Sequence, residues 1–167
     1  MNLDIALLIV RVAVGVLMMG HGAQKLFGLF GGHGIAGTAG FFGSLGLRPA
    51  RFWATGAGLA EFGGGLLLAL GLLTPIGALG IIAAMTMAIL LVHLGKGPWV
   101  SDGGSEYNIV LIAVALATIL TGPGAYSLDA LLGIALLPVI IVVAALATLI
   151  AVAAALGSRR QPVVQQA

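Results

Sequence analysis

Long apolar runs, interrupted by short polar or glycine-rich clusters, organise this chain. A helix needs about 17–25 residues to cross the hydrocarbon of a bilayer. Five stretches reach or approach that length. The first covers Ile5–Leu29. The second, Phe52–Leu73, is stopped by Thr74-Pro75, and the third, Ile76–Leu94, by Gly95. The fourth, Tyr107–Thr121, is short. The fifth lies within Ser127–Leu156, where Pro138 either kinks the helix or marks its true start. The pattern therefore predicts an all-α membrane protein with five spans. Between the first two spans, Phe30–Arg51 is too rich in glycine for one continuous helix. It is expected to lie on the membrane surface with Phe41 and Phe42 dipped into lipid. No internal repeat is visible.

Composition strengthens the membrane reading. Of 167 residues, 60% are hydrophobic and 7% charged, against about 45–50% and about 25% in ordinary soluble domains. The formal net charge is +2, and no basic run is long enough to track nucleic-acid phosphates. The chain has no cysteine, so a dithiol relay, a covalent haem link and cysteine-held metal within it are excluded. Met1-Asn2-Leu3-Asp4 lacks the positive start of a signal peptide, and the first apolar stretch is read as a retained span.

The cations fall on one side. With five spans and the N-terminus outside, the inner loops and tail carry Arg48, Arg51, Lys96, Arg159 and Arg160, as the positive-inside rule asks. Trp53 and Trp99 fall at the same boundary, where an aromatic belt would place them. The C-terminus is therefore expected in the cytoplasm. The glycines of the second span, from Gly56 to Gly71, read as close helix packing rather than as a nucleotide loop.

Against this background the titratable residues inside the spans stand out. A charge at the centre of a bilayer costs roughly 2.5–3.5 kcal/mol on insertion scales, so each needs a partner or a watery cavity. His21 and Lys25 are four apart and share a helix face. With a helical rise of ~1.5 Å per residue, His21 lies roughly 12 Å and Glu61 roughly 13 Å from the inner boundary. The two are level, with Lys25 one turn away. His93 ends the third span and Tyr107 opens the fourth at that same boundary, so these side chains could line one inward-facing pocket. Glu61 is either half of a structural ion pair with Lys25 or His21, or a proton donor and acceptor beside a substrate. His21 is a relay, a hydrogen-bond donor or a packing residue. Its depth differs from that of His93 by roughly 9 Å, which disfavours a shared haem. His33 reads as surface. Arg11 faces the bundle near the outer end, where it would hold Asp129, an anionic headgroup or the end of a ligand channel. Lys25 reaches the inner surface unless Glu61 captures it. Trp99 and Tyr107 are belt residues that could also wall a pocket. No spacing matches a metal motif, and no flavin motif is visible.

One set of motifs carries a family resemblance. Arg11, then His21-Gly22-Ala23-Gln24-Lys25-Leu26-Phe27-Gly28, Glu61-Phe62-Gly63-Gly64-Gly65, Gly71-Leu72-Leu73-Thr74, His93, Gly97-Pro98-Trp99, Glu106-Tyr107 and Ser127-Leu128-Asp129 together resemble the DoxX family. The resemblance implies a four-helix transmembrane bundle over 1–130, in a bacterial plasma membrane. Residues 131–157 would form an additional C-terminal transmembrane helix and 158–167 a polar tail. It also implies a quinone-interacting subunit of a membrane oxidoreductase complex, or a homo-oligomer. Glu61 and His21 would then exchange protons with a quinone head group, with Arg11, Lys25, His93, Trp99 and Tyr107 binding it. Two rival readings remain: a carrier for a small anion, and a membrane anchor for a soluble enzyme.

Overall fold

The computed structural model describes residues 3–160, and they are helical with no strand. Helix α1 spans Leu3–Phe27, α2 Gly34–Ser44, α3 Ala50–Leu70 and α4 Thr74–Ala88. Helix α4 continues as a π-helical turn, Ile89–His93, and a short 3-10 turn follows at Val100–Asp102. Helix α5 spans Glu106–Thr121, α6 Leu128–Leu132 and α7 Pro138–Gly157. The polar tail expected at 158–167 is described only as far as Arg160; the rest of it lies outside the described residues.

Among the described residues, four helices are long and apolar enough to cross a membrane: α1, α3, α4 with its π turn, and α7. The expected fourth span is the exception. Helix α5 has 16 residues, roughly 24 Å at the helical rise, and falls short of the ~30 Å hydrocarbon layer. Glu106 opens it and Gly122-Pro123-Gly124 closes it. The fifth stretch divides: α6 forms after Ser127, and Pro138 is the true start of α7, not a kink.

The sequence builds a tight core. Helices α1 and α3 meet backbone on backbone, because a Cβ at Gly65 would sit 2.6 Å from the Gly15 carbonyl oxygen. Helices α3 and α4 meet the same way, with a Cβ at Gly64 falling 2.8 Å from the Gly77 carbonyl oxygen. Small residues allow such approach in lipid, where dispersion contacts replace the hydrophobic effect. Met18, Leu68, Ile81, Met85 and Leu111 fill the space between α1, α3, α4 and α5. By contrast, Gly56 and Gly63 face open space, so packing accounts for only part of the glycine content of α3.

The segment expected to lie on the surface carries a helix of its own, with Thr38 as the buried residue of α2. Helix α2 packs on α1 and α3. Thr38 is buried, and its hydroxyl donates to the Lys25 carbonyl at 3.2 Å and to the Gly34 carbonyl at 2.8 Å. Helix α7 leans chiefly on α4. Its C-terminal end is tied to the α2–α3 turn, where the Arg160 amide donates to the Gly46 carbonyl at 2.9 Å and Arg159 Nε to the Leu45 carbonyl at 3.3 Å. Arg48, Arg159 and Arg160 thus share one end of the bundle with the C-terminus of α1.

Candidate functional site

The antiparallel pairing of α1 and α3 brings the last turn of one beside the middle of the other. There Lys25 Nζ donates to Glu61 Oε2 in an ion pair. Glu61 is buried, whereas the Lys25 side chain keeps 27% of its surface exposed. His21, one turn back on α1, lies close enough to Glu61 to interact electrostatically. Its Nε2 sits 3.4 Å from the Tyr107 hydroxyl of α5, with the rings edge to face. Four of the expected site residues are therefore neighbours: Lys25, Glu61, His21 and Tyr107.

The ion pair closes one end of a cavity of about 470 Å³. That size suits a drug-sized organic ligand. Apart from Lys25 and Glu61, its walls are almost wholly apolar: Phe41 and Phe42 from α2, Phe52 and Trp53 from α3, Met87 from α4 and Val152 from α7 among them. Phe41 and Phe42, expected against lipid, and Trp53, expected in an interfacial belt, also line this cavity, with Phe41 still half-exposed; nothing in the sequence pointed to α7 as a wall. The small residues Gly56, Ala57 and Ala60 mark the groove on α3. Their i, i+1, i+4 spacing is the one signal that could have found it.

Of the expected site residues only Lys25 and Glu61 line this cavity; His21 and Tyr107 lie behind the ion pair, and His93, Trp99 and Arg11 lie elsewhere. His93 Nδ1 lies 2.6 Å from the Gly103 carbonyl and ties down the loop after α4. Trp99 is 63% exposed, and its carbonyl accepts the amides of Asp102 and Gly104 at 3.1 and 2.8 Å. The π turn ending at His93 breaks the regular 100° helical advance, so the ring does not point where an ideal helix would aim it. Arg11 belongs to the opposite end. It is fully buried, donates from Nη2 to the Tyr126 carbonyl at 2.5 Å and feels the nearby charge of Asp129. Its Nε and Nη1 have no hydrogen-bond partner among the described residues. Asp129 in turn caps α4, accepting the Leu73 amide at 2.8 Å, the Thr74 amide at 3.1 Å and the Thr74 hydroxyl at 2.9 Å. Asp129 is thus a nearby charge for Arg11, while the hydrogen bond Arg11 makes goes to the Tyr126 carbonyl. Among the described residues, no three His, Asp or Glu side chains converge as metal ligands.

The DoxX family model matches residues 6–94, which include most of α1, all of α2–α4 and both halves of the ion pair. The chain belongs to the DoxX family. It is 34% identical over 130 residues to a Bacillus subtilis (strain 168) protein named "Putative oxidoreductase CatD", an alignment covering 77% of this chain and 87% of that protein. No solved structure matches it. This DoxX protein is thus a multi-pass membrane protein whose buried ion pair sits within the part common to the family.

Proposed function

We propose that this DoxX protein takes a quinone from the bilayer into the apolar cavity and serves as the quinone-interacting part of a membrane oxidoreductase. The observation that carries the reading is the cavity itself, which is apolar along its walls and ends on Lys25 and Glu61. An isoprenoid tail fits the first property and a ring carbonyl the second. A bound quinone would supply reversible two-electron, two-proton chemistry. The protein's part is narrower. Lys25 donates a hydrogen bond to a ring oxygen and offsets negative charge there. Glu61 gives or takes a proton, which requires direct or one-water contact. His21, beside Glu61 and Tyr107, is a second group that can pass a proton. Electrons come from a partner protein in this reading, and similarity to a protein named "Putative oxidoreductase CatD" supports a redox role.

In the membrane, α7 would cross beside α4, and α5 would fill the bundle as a short fifth crossing. The end bearing Arg48, Arg159 and Arg160 would face the cytoplasm of a bacterial plasma membrane. The anion-carrier reading is less well served: Arg11 is fully buried and tied to the Tyr126 carbonyl, away from the cavity that Lys25 borders.

An organic extract of the purified protein tests the proposal. Its ultraviolet spectrum is expected to show quinone approaching one equivalent. Glu61→Gln is expected to keep that quinone and lose quinone-linked turnover in native membranes. Extracts without quinone, together with unchanged turnover in Glu61→Gln, would overturn it.

A further inference from the structure

Lys25 borders a second cavity. This one, of about 330 Å³, lies between the C-terminal turn of α1, the Gly28–Gly34 connection and the first turns of α2. It shares Lys25, Phe41 and Phe42 with the apolar cavity, so the two are neighbours separated by those side chains. Its chemistry differs. Gln24, His33 and Thr38 contribute polar groups, and glycines at 31, 32 and 37 leave room. The connection is built to keep that room: Gly28, Gly31 and Gly34 all hold positive φ, at 73°, 78° and 62°. Only glycine adopts such angles freely. Gly32 presses against the α1 backbone at Gln24, where any Cβ would collide. Gln24 Nε2 donates to the Phe30 carbonyl at 3.1 Å and fixes the loop. A roomy cavity with several polar partners can hold water.

We propose that this second cavity is the aqueous entrance to the Lys25–Glu61 pair, admitting water and protons from the Lys25 end of the bundle. Phe41 and Phe42 hold it apart from the apolar cavity, so water and a lipid-soluble ligand reach the ion pair by different routes. The step is a proton exchange between water in the second cavity and the Glu61 carboxyl group, which lies behind Lys25 as its ion-pair partner. Lys25 remains an ammonium and no electron moves. Of the titratable groups, Lys25 of α1 and His33 of the connection line the second cavity; Glu61 of α3 is paired to Lys25, and His21 of α1 and Tyr107 of α5 stand beyond that pair and line neither cavity. What the proton serves rests on the quinone reading; the entrance itself does not.

The absence of native cysteine makes the test clean. Lys25→Cys protein in lipid nanodiscs is treated with a charged, water-soluble methanethiosulfonate, which cannot enter lipid. It is expected to react, and His33→Trp, which fills the second cavity, is expected to slow the reaction at least tenfold. Gly56→Phe, which fills only the apolar cavity, is expected to change it less than twofold. Gln24→Cys, at the same entrance, is expected to follow the same pattern and replaces Lys25→Cys should that variant not fold. Reaction slowed by Gly56→Phe and not by His33→Trp, or no reaction at either cysteine, would overturn the proposal. No quinone enters the experiment, so its failure is distinct from a failure of quinone binding.

Discussion

Lys25 and Glu61, 36 positions apart in the chain, pair across the α1–α3 contact at the end of an otherwise apolar cavity. The pair is lopsided: the carboxylate is buried and the ammonium partly open. Removing one member of a buried pair commonly costs about 3–5 kcal/mol, whereas replacing both can be neutral. Lys25→Met is therefore expected to lower the unfolding temperature in detergent, and Lys25→Met with Glu61→Gln to recover most of the loss. A double variant no better than the single would show that the two side chains are not coupled.

Asp129 makes three hydrogen bonds at the start of α4 and lies beside buried Arg11. Hydrogen bonds to a charged group are worth about 1.5–3 kcal/mol each, though they do not add simply. Asp129→Ala is expected to destabilise the protein by about 3 kcal/mol or more in reversible unfolding, with Asp129→Asn milder. Quinone binding per folded molecule should be unchanged in both, since the cavity is at the other end.

Glycines that look alike in sequence should respond differently. Gly65→Leu drives a side chain into the Gly15 carbonyl and is expected to abolish monodisperse protein on size exclusion. Gly63→Leu, facing open space, should behave as wild type. Equal tolerance of the two would contradict the backbone contact between α1 and α3.

His93 anchors the loop after α4 through the Gly103 carbonyl. His93→Phe is expected to speed protease cleavage within Gly95–Gly104 severalfold while leaving quinone affinity within about twofold. A large loss of affinity with no change in cleavage would return His93 to the binding site.

The ion pair was legible in the sequence because membrane depth is a strong constraint. Counting rise along two antiparallel apolar helices put His21, Lys25 and Glu61 at similar heights. Asp129 was visible as a partner for Arg11, but its capping of α4 was not, because that contact joins residues 55 positions apart. Helix α2 was hidden by its glycines at 34, 37, 40 and 43, which argue against helix on propensity alone. Packing of Thr38 against α1 overrides that preference. The apolar cavity left almost no trace, because an apolar wall facing a cavity and one facing lipid use the same residues. Helix α7 shows this best, since Val152 lines the cavity while Leu149 and Ile150 are exposed.

The two tryptophans provide the most direct measurement. Trp53 lines the apolar cavity and Trp99 does not, so a Trp99→Phe protein reports from the cavity alone. Titrating it with a short-chain quinone in nanodiscs is expected to quench Trp53 emission saturably, at one quinone per chain. Adding Gly56→Phe should weaken that binding at least tenfold. Quenching that rises linearly without saturation, or that is indifferent to Gly56→Phe, would contradict a quinone site at Lys25 and Glu61.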